Sequence, residues 1–277
     1  LVFHAGAKVV QIDGKRSSVA ILGLSGTGKT TTTFSKQGDL TEPIQDDMIG
    51  FWGDGHCSVT ENGCFAKTFG LTEKNEPIIY RGTINPHSWV ENVYQNKDDD
   101  FDFFKESLTA EEVKRWREIF VQLGENKKNL DAYIEGKIKL EQIVDQYGTP
   151  DDWWDFVAWT KNGRSVIPLS EIDNVPDLHK IPPISSMGIL SRDEGRDAAI
   201  PGIIRFVSPL QAAAYFMLGE TTRTSAAGKE RGKIRSPFTQ PFFPRKMELQ
   251  AERFQELLKK MPDLTIWMMN TGYVGGD

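Results

Sequence analysis

The sequence predicts an α/β fold assembled around a phosphate-binding loop. Three observations predict it. Residues 23–30, Gly-Leu-Ser-Gly-Thr-Gly-Lys-Thr, satisfy the pattern G-x-x-x-x-G-K-[ST] at every position. The short apolar run Ser18-Val19-Ala20-Ile21-Leu22 enters the loop and reads as a buried strand, while Thr30 to Phe34 leave it as the opening of a helix. Further along, short strand candidates between Gly and Asn turns give way to segments of helical periodicity.

Taken in order, residues 1–34 read strand, turn, strand, loop, helix, with Asp13-Gly14 as the turn. Gly23, Gly26 and Gly28 let backbone N–H groups close around phosphate oxygens without Cβ clashes, and Leu24, Ser25, Thr27 and Thr31 complete the cradle. Lys29 brings a point charge to the outer phosphates, and Thr30 offers a hydroxyl to the Mg²⁺ that travels with a nucleotide. The positive end of the following helix faces the same anion. Ile44-Gln45-Asp46-Asp47 then sets two carboxylates after an apolar stretch. Acids placed soon after such a loop hold its metal; acids in a solvated turn have the same spelling.

Residues 44–95 carry short strand candidates, among them Cys64 to Phe69 and Ile78 to Tyr80. Asp98-Asp99-Asp100 opens a change of character. Thr109-x-x-Glu112 is a capping box, after which Val113, Trp116, Ile119, Phe120 and Leu123 recur at helical spacing until Gly124. Leu140, Ile143, Val144 and Tyr147 repeat the pattern up to Gly148, and Trp153, Trp154, Phe156 and Trp159 form an aromatic cluster. This acidic helical block, 97–158, reads either as a surface insertion packed by its own tryptophans or as a partner- or oligomer-contact module. Residues 164–210 return to strands and loops rich in proline. Helices are expected at 209–218 and at 246–260, the latter with Leu249, Phe254, Leu257 and Leu258 on its apolar face, and a buried strand from Leu264 to Met269. Ala226 to Gly232 is a small-residue loop with charges, suited to a mobile segment near a ligand.

Composition bounds the function. The chain has 277 residues, 39% hydrophobic and 26% charged, as in an ordinary soluble globular protein. No apolar run approaches the ~20 residues that span a bilayer. Two cysteines, Cys57 and Cys64, are too few for a disulfide framework and read as packed thiols, so a reducing cytoplasm is the expected compartment. The net charge of −6 is uneven: residues 97–155 hold 16 acids and 9 bases, whereas residues 192–246 hold 10 bases and 5 acids. The local basic excess suits an anionic small ligand. The interleaved aromatics and overall basicity of a nucleic-acid binder are missing.

The loop and the two acids resemble one family, the ATP-utilising phosphoenolpyruvate carboxykinases, through Gly-Leu-Ser-Gly-Thr-Gly-Lys-Thr-Thr and Asp46-Asp47. Further segments extend the resemblance in family order from residue 4 to residue 277. Gly63-Cys64-Phe65-Ala66-Lys67-Thr68 resembles its G-C-[YF]-A-K-T. Glu76-Pro77-Ile78-Ile79-Tyr80 and Glu91-Asn92-Val93 resemble the stretch that follows. Arg164 with Pro168 and Ile172-Asp173-Asn174 resembles the arginine segment, Glu230-Arg231-Gly232 the adenine-side E-R-G, and Asn270-Thr271-Gly272-Tyr273 the late N-T-G-[WY]. Three departures stand out: the 97–158 block, where the family has a much shorter connection; Met48-Ile49-Gly50-Phe51-Trp52 after the acid pair; and Lys233, which breaks a small or apolar pattern.

The resemblance implies a mixed α/β domain, with a mixed sheet around the loop, acting as a nucleotide-binding catalytic domain over 1–277 with the helical insertion at 97–158. It implies the gluconeogenic carboxy-lyase reaction, oxaloacetate plus ATP giving phosphoenolpyruvate, CO₂ and ADP, with Mg²⁺ and Mn²⁺ as metals. Lys29, Arg164 and Asp46 are its catalytic candidates. Lys67, Glu76, Arg164, Arg231, Gly232 and Thr239 join the loop around ATP or ADP, and Thr30, Asp47 and His4 hold metal. His4 in His-Ala-Gly-Ala resembles the metal histidine, though it lies about three residues further from the loop; a satisfied structural histidine is the alternative. Lys67 reads equally as a solvated lysine and Arg164 as the partner of a surface acid. His56, His87 and His179 match no family position. The resemblance begins partway into the family pattern, so the chain is expected to be a fragment that binds nucleotide and, without the oxaloacetate-binding domain, is inactive alone. Two other readings stay open, another phosphate-loop kinase and a non-catalytic nucleotide-binding regulatory module whose 97–158 block contacts a protein partner.

Overall fold

The computed structural model describes residues 1–24, 26–35, 41–106, 108–122, 124–139, 142, 160–193, 200–222, 233–239 and 243–272. The chain divides into two compact units, the first formed by 1–66, 72–89 and 165–277, the second by 67–71 and 90–164.

The first unit opens with β1 (Val2–Ile12), whose alternation sets the plan of the site. Phe3, Ala5, Ala7 and Val9 are buried in the main core. His4, Gly6 and Lys8 therefore share the opposite face, because successive side chains of a strand point to opposite sides. Asp13-Gly14, both at positive φ, turns the chain into β2 (Lys15–Gly23), which pairs antiparallel with β1 from Ala5↔Leu22 to Ile12↔Lys15. The loop leads to α1 (Lys29–Phe34), followed by β3 (Thr41–Gln45), β4 (Met48–Phe51), β5 (Cys57–Val59) and β6 (Gly63–Lys67).

The strand expected over Ile78 to Tyr80 is instead a helix, α2 (Pro77–Thr83). Pro77 occupies its first turn, where a fixed φ and a missing N–H cost nothing. Ile78, Ile79, Gly82 and Thr83 are buried together on one helical side. A Cβ on Gly82 would come within 2.8 Å of the Ile167 side chain, so close packing also selects this geometry. A short apolar run does not distinguish strand from helix by periodicity.

The chain then passes through β7 (Trp89–Glu91) into the second unit, with the hairpin β8 (Tyr94–Gln95) and β9 (Phe101–Asp102), then α3 (Ala110–Gln122) and α4 (Lys127–Ile134). The Thr109–Glu112 box is formed reciprocally. The Thr109 N–H donates to Glu112 Oε2 at 2.8 Å, and the Glu112 N–H to Thr109 Oγ1 at 3.3 Å. At the far end Gly124 takes φ 102° and the Glu125 N–H donates to the Phe120 carbonyl, closing the helix. Tyr94, Leu108, Val113, Phe120 and Leu130 form this unit's core, with Trp116 against it. The second periodic segment up to Gly148 and the cluster of Trp153, Trp154, Phe156 and Trp159 lie outside the described residues.

Back in the first unit come β10 (Arg164–Pro168, from Ser165 onward), β11 (Ile184–Ser191), β12 (Ile203–Arg205), α5 (Pro209–Leu218), the pair β13 (Glu220–Thr222) and β14 (Lys233–Arg235), α6 (Glu248–Lys260) and β15 (Thr265–Asn270). The main sheet has eight strands in the order β12-β15-β11-β2-β1-β4-β5, with β3 also paired to β1. It is mixed: β2, β11 and β15 run parallel, and the remaining pairs are antiparallel. One face is sealed by Phe216 of α5 and Phe254 of α6, whose rings lie 4.7 Å apart, with Phe3 set edgewise on Phe216 at 5.9 Å. The loop leaves the carboxyl end of β2, beside the carboxyl ends of β11 and β15, where ligands of parallel sheets bind. No helix among the described residues is long and apolar enough to cross a membrane.

Candidate functional site

The loop is shaped by its glycines. Gly26 and Gly28 take φ of 84° and 86°, which side-chain-bearing residues rarely adopt. At Gly23 a Cβ would sit 2.3 Å from Thr27 Oγ1, whose hydroxyl donates to the Leu24 carbonyl at 2.8 Å. Ser25 lies outside the described residues. Lys29 is almost fully buried, with its Nζ 3.8 Å from Asp47 Oδ1. Burial pushes the Lys29 pKa down to about 8, against the pull of Asp47, Asp46 and Glu61.

The two acids follow directly on β3, and buried Gln45 orients them. Its Oε1 accepts from the Asp46 N–H at 2.7 Å and its Nε2 donates to the carbonyls of Glu61 and Gly63. Asp46 turns inward and is 2% exposed. Its Oδ2 accepts from the Thr30 hydroxyl at 2.8 Å, while its Oδ1 is buried without a partner among the described residues. Burial raises its pKa to about 6, opposed by hydrogen bonds from Thr30 and the Cys64 thiol and by the charge of Lys29. Asp47 faces the other way, toward β1, where its Oδ1 lies 3.3 Å from His4 Nε2. That hydrogen bond, with the charge of Lys29, holds the Asp47 carboxyl below its ordinary range against burial. The Nδ1 of His4 is 3.3 Å from the Phe238 carbonyl.

The structure thus brings together Lys29, Thr30, Asp46, Asp47 and His4. Thr31 joins them on the outer side of α1, donating its hydroxyl to Glu76 at the start of α2 beside a cavity of about 260 Å³ lined by Phe34, Ser35, Lys74 and Ile79. Thr239, next to the Phe238 that His4 contacts, is buried, with an Oγ1 that has no partner among the described residues. Arg231 and Gly232 lie outside the described residues. Lys67 and Arg164 belong to the second unit. There burial and the neighbouring Arg164 lower the Lys67 pKa, and Arg164 donates to the Gly163 carbonyl at 2.9 Å. Cys64 is buried, Cys57 is partly so, and His56, His87 and His179 are exposed. Among the described residues no group of three or more His, Cys, Asp or Glu side chains comes together to hold a metal ion.

Three residues of the site, Lys8, Glu61 and Arg192, escaped the sequence reading, and a fourth, Thr271, entered it only within the N-T-G motif. Lys8 is 5% exposed on the site face of β1 and donates to the Thr32 carbonyl at 2.7 Å, so it ties down α1. Its place two steps of the β period from His4 was the available signal. Glu61 stands close enough to Asp47 and Lys29 for both charges to act on it. Arg192 and Thr271 reach the loop from the ends of β11 and β15, at 3.1 Å from the Gly26 carbonyl and 2.7 Å from that of Thr27. Nothing local in the sequence announces the Arg192 contact; the N-T-G motif marked Thr271 without showing what it touches.

The family model described as phosphoenolpyruvate carboxykinase matches residues 1–118 and 120–277. Among curated relatives, a protein of Flavobacterium johnsoniae named phosphoenolpyruvate carboxykinase (ATP) is 29% identical over 286 residues, covering 100% of this chain and 41% of the relative. Proteins of the same name from Thermus thermophilus and Aeropyrum pernix are 30% and 27% identical, covering 99% and 98% of this chain and 41% and 45% of their own lengths. The chain therefore spans less than half the length of the relatives it matches, and over that span it belongs to the phosphoenolpyruvate carboxykinase family.

Proposed function

We propose that the chain supplies the nucleotide and metal site of an ATP-dependent phosphoenolpyruvate carboxykinase, which in the full-length protein converts oxaloacetate and ATP to phosphoenolpyruvate, CO₂ and ADP. The observation that carries this reading is the convergence of Lys29, Thr30, Asp46 and Asp47 on one glycine-shaped loop. Oxaloacetate would lose CO₂, and the electron pair of the broken carbon–carbon bond would form an enolate whose oxygen takes the γ-phosphoryl group of ATP. Lys29, with a pKa near 8, is still mostly protonated at neutral pH and would carry its charge to the transferring oxygens. Arg164 and Lys67 enter through their family motifs rather than through geometry.

The donors fit two divalent ions. Mg²⁺ keeps most of its water and needs only one or two protein oxygens beside the phosphates, so a three-residue cage is not required. The Thr30 hydroxyl, backed by Asp46, is such an oxygen. His4 Nε2 and Asp47 Oδ1 offer a nitrogen and an oxygen suited to Mn²⁺; with Nδ1 committed to the Phe238 carbonyl, a metal would bind at Nε2 in place of the hydrogen that Nε2 shares with Asp47. Bound there, the ions would neutralise charge on the phosphoryl oxygens. The same proposal takes 1–277 as the catalytic nucleotide domain of a cytoplasmic enzyme, with 97–158 as an insertion available for protein contact.

Titration of Mg²⁺·ADP into the full-length protein tests the site. Affinity should fall at least tenfold in Lys29→Ala, and equal affinity would sink it. A coupled assay for phosphoenolpyruvate formation tests the reaction. Nucleotide binding without turnover by the full-length protein would favour the regulatory reading.

A further inference from the structure

A loop that binds phosphate turns its N–H groups inward and its carbonyls outward. An outward carbonyl needs a donor of its own if it is not to lie buried and unpaired. The carbonyls of Leu24, Gly26 and Thr27 each have one. Leu24 is served from inside the loop, by the N–H and the hydroxyl of Thr27 at 3.2 and 2.8 Å. The other two are served from distant strand ends. Arg192, the residue after β11, donates Nη1 to the Gly26 carbonyl at 3.1 Å. Thr271, the residue after β15, donates its hydroxyl to the Thr27 carbonyl at 2.7 Å, across 244 positions of sequence.

The two strand ends are themselves stitched together. The Thr271 N–H donates to the Ser191 carbonyl at 2.8 Å. Asn270 holds the backbone of Asp193 from both sides, its Oδ1 accepting from the N–H and its Nδ2 donating to the carbonyl, each at 3.1 Å. The Gly272 N–H donates to the same Oδ1 at 3.0 Å, and a Cβ on Gly272 would lie 2.6 Å from the Asp193 carbonyl oxygen. Every residue of Asn270-Thr271-Gly272 thus has a defined task although none belongs to the loop.

We propose that Arg192 and Thr271 are positioning residues that hold the phosphate loop in its anion-binding shape before a nucleotide arrives, and that Asn270 and Gly272 keep them in place. The inference rests on reading residues 23–30 as a phosphate site. Its physical content is preorganisation: a loop already held open spends no binding energy on ordering itself. The brace acts on the backbone, so it serves any polyphosphate regardless of the base attached.

The test titrates Mg²⁺·ADP and Mg²⁺·pyrophosphate into full-length wild type, Thr271→Val, Thr271→Ser, Arg192→Gln and Lys29→Ala. It also follows amide hydrogen exchange of residues 22–30 without ligand. Thr271→Val and Arg192→Gln should each weaken both ligands about tenfold, the scale of one hydrogen bond, and speed exchange of the loop but not of the β1–β2 hairpin. Thr271→Ser, which keeps the hydroxyl, should stay near wild type. Arg192 is only partly buried, so Arg192→Gln carries the test should Thr271→Val fail to fold. Unchanged affinity and exchange in both brace variants, with binding lost in Lys29→Ala, would overturn the brace and leave the loop reading standing. Equal binding by wild type and Lys29→Ala would overturn the loop reading and the brace with it.

Discussion

Asp46 and Asp47 are neighbours whose carboxyl groups are driven in opposite directions. Asp46 is buried against Thr30 and Cys64 and rises to about 6, while Asp47 reaches His4 and Lys29 and falls below its ordinary range. Adjacent residues at the end of a strand point to opposite sides, so one enters the protein and the other faces the β1 residues that carry His4. Environments that push two carboxyls apart assign them different work. Asp47 is the carboxylate held ionised over the wider pH range, and under the proposal it takes the metal; Asp46, at about 6, is still mostly ionised at neutral pH and holds the Thr30 hydroxyl.

This separation predicts separable variants. Asp47→Asn should abolish tight Mn²⁺ binding, read by electron paramagnetic resonance, because it removes the charge beside His4. Asp46→Asn should retain the Mn²⁺ signal and weaken Mg²⁺·ADP about tenfold, a loss of ~1.4 kcal/mol from the support behind Thr30. Loss of both ligands in both variants would show that the two acids act as one site. If His4→Ala leaves the Mn²⁺ signal intact while Asp47→Asn loses it, the histidine is structural.

Gly6→Ala tests the packing of α1. A Cβ at Gly6 would fall 2.1 Å from Thr33 Oγ1, and Thr33 is a buried, χ1-restricted residue of the helix that follows the loop. Thr33 or the helix that carries it must give way, so Mg²⁺·ADP affinity should fall about tenfold, with a stability loss of ~1–3 kcal/mol from overpacking. Wild-type affinity in Gly6→Ala would show that α1 moves without cost to the site.

Lys8→Met probes the same helix from two residues further along the same face of β1. The substitution keeps the stem and removes the ammonium that serves the Thr32 carbonyl. Burial already lowers the Lys8 pKa, so removing the charge also relieves a desolvation cost. The net loss in urea unfolding should therefore be small, about 1 kcal/mol. Nucleotide affinity should fall severalfold. A variant that is more stable and binds equally well would show the buried ammonium to be a cost without a function.

Glu112 sets a pH dependence in the second unit. Partial burial pushes its carboxyl up, but hydrogen bonds from Lys105, Tyr94 and Thr109 outweigh this and bring it to about 2, from an ordinary 4.5. A depressed folded pKa contributes stability above the unfolded value and loses it as pH falls through the folded one. Wild-type stability should thus decline between about pH 4.5 and 2 on this account. Glu112→Gln should cost about 1 kcal/mol at pH 7, the scale of a capping residue, and flatten the profile in that window. Urea unfolding followed by hydrogen exchange of α3 checks both; parallel profiles for wild type and variant would refute the assignment.

Local grammar made much of this chain legible. The Asp13-Gly14 hairpin, the strand before the loop, the Thr109–Glu112 box, the helices near 209–218 and 246–260 and the strand near 264–269 follow from turn chemistry, caps and period, and all are present. The family was legible from the spacing of its motifs. The helix α2 was not, because Ile78-Ile79-Tyr80 satisfies a strand as readily as a helix until Ile167, far along the chain, packs against Gly82.

Within the candidate site the division has the same origin. Glycine positions, a lysine and a hydroxyl at fixed spacing were written in residues 23–30, since the backbone conformation of a loop is a local matter. The tertiary structure alone turned Asp46 inward and Asp47 toward His4, brought Lys8 under α1, and set Arg192 and Thr271 on the loop's outward carbonyls. Those pairings depend on which strands become neighbours in the sheet and on how deeply each group is buried. Both are properties of contacts between distant segments, and they set the hydrogen bonds and pKa values that the same side chains would not have in water.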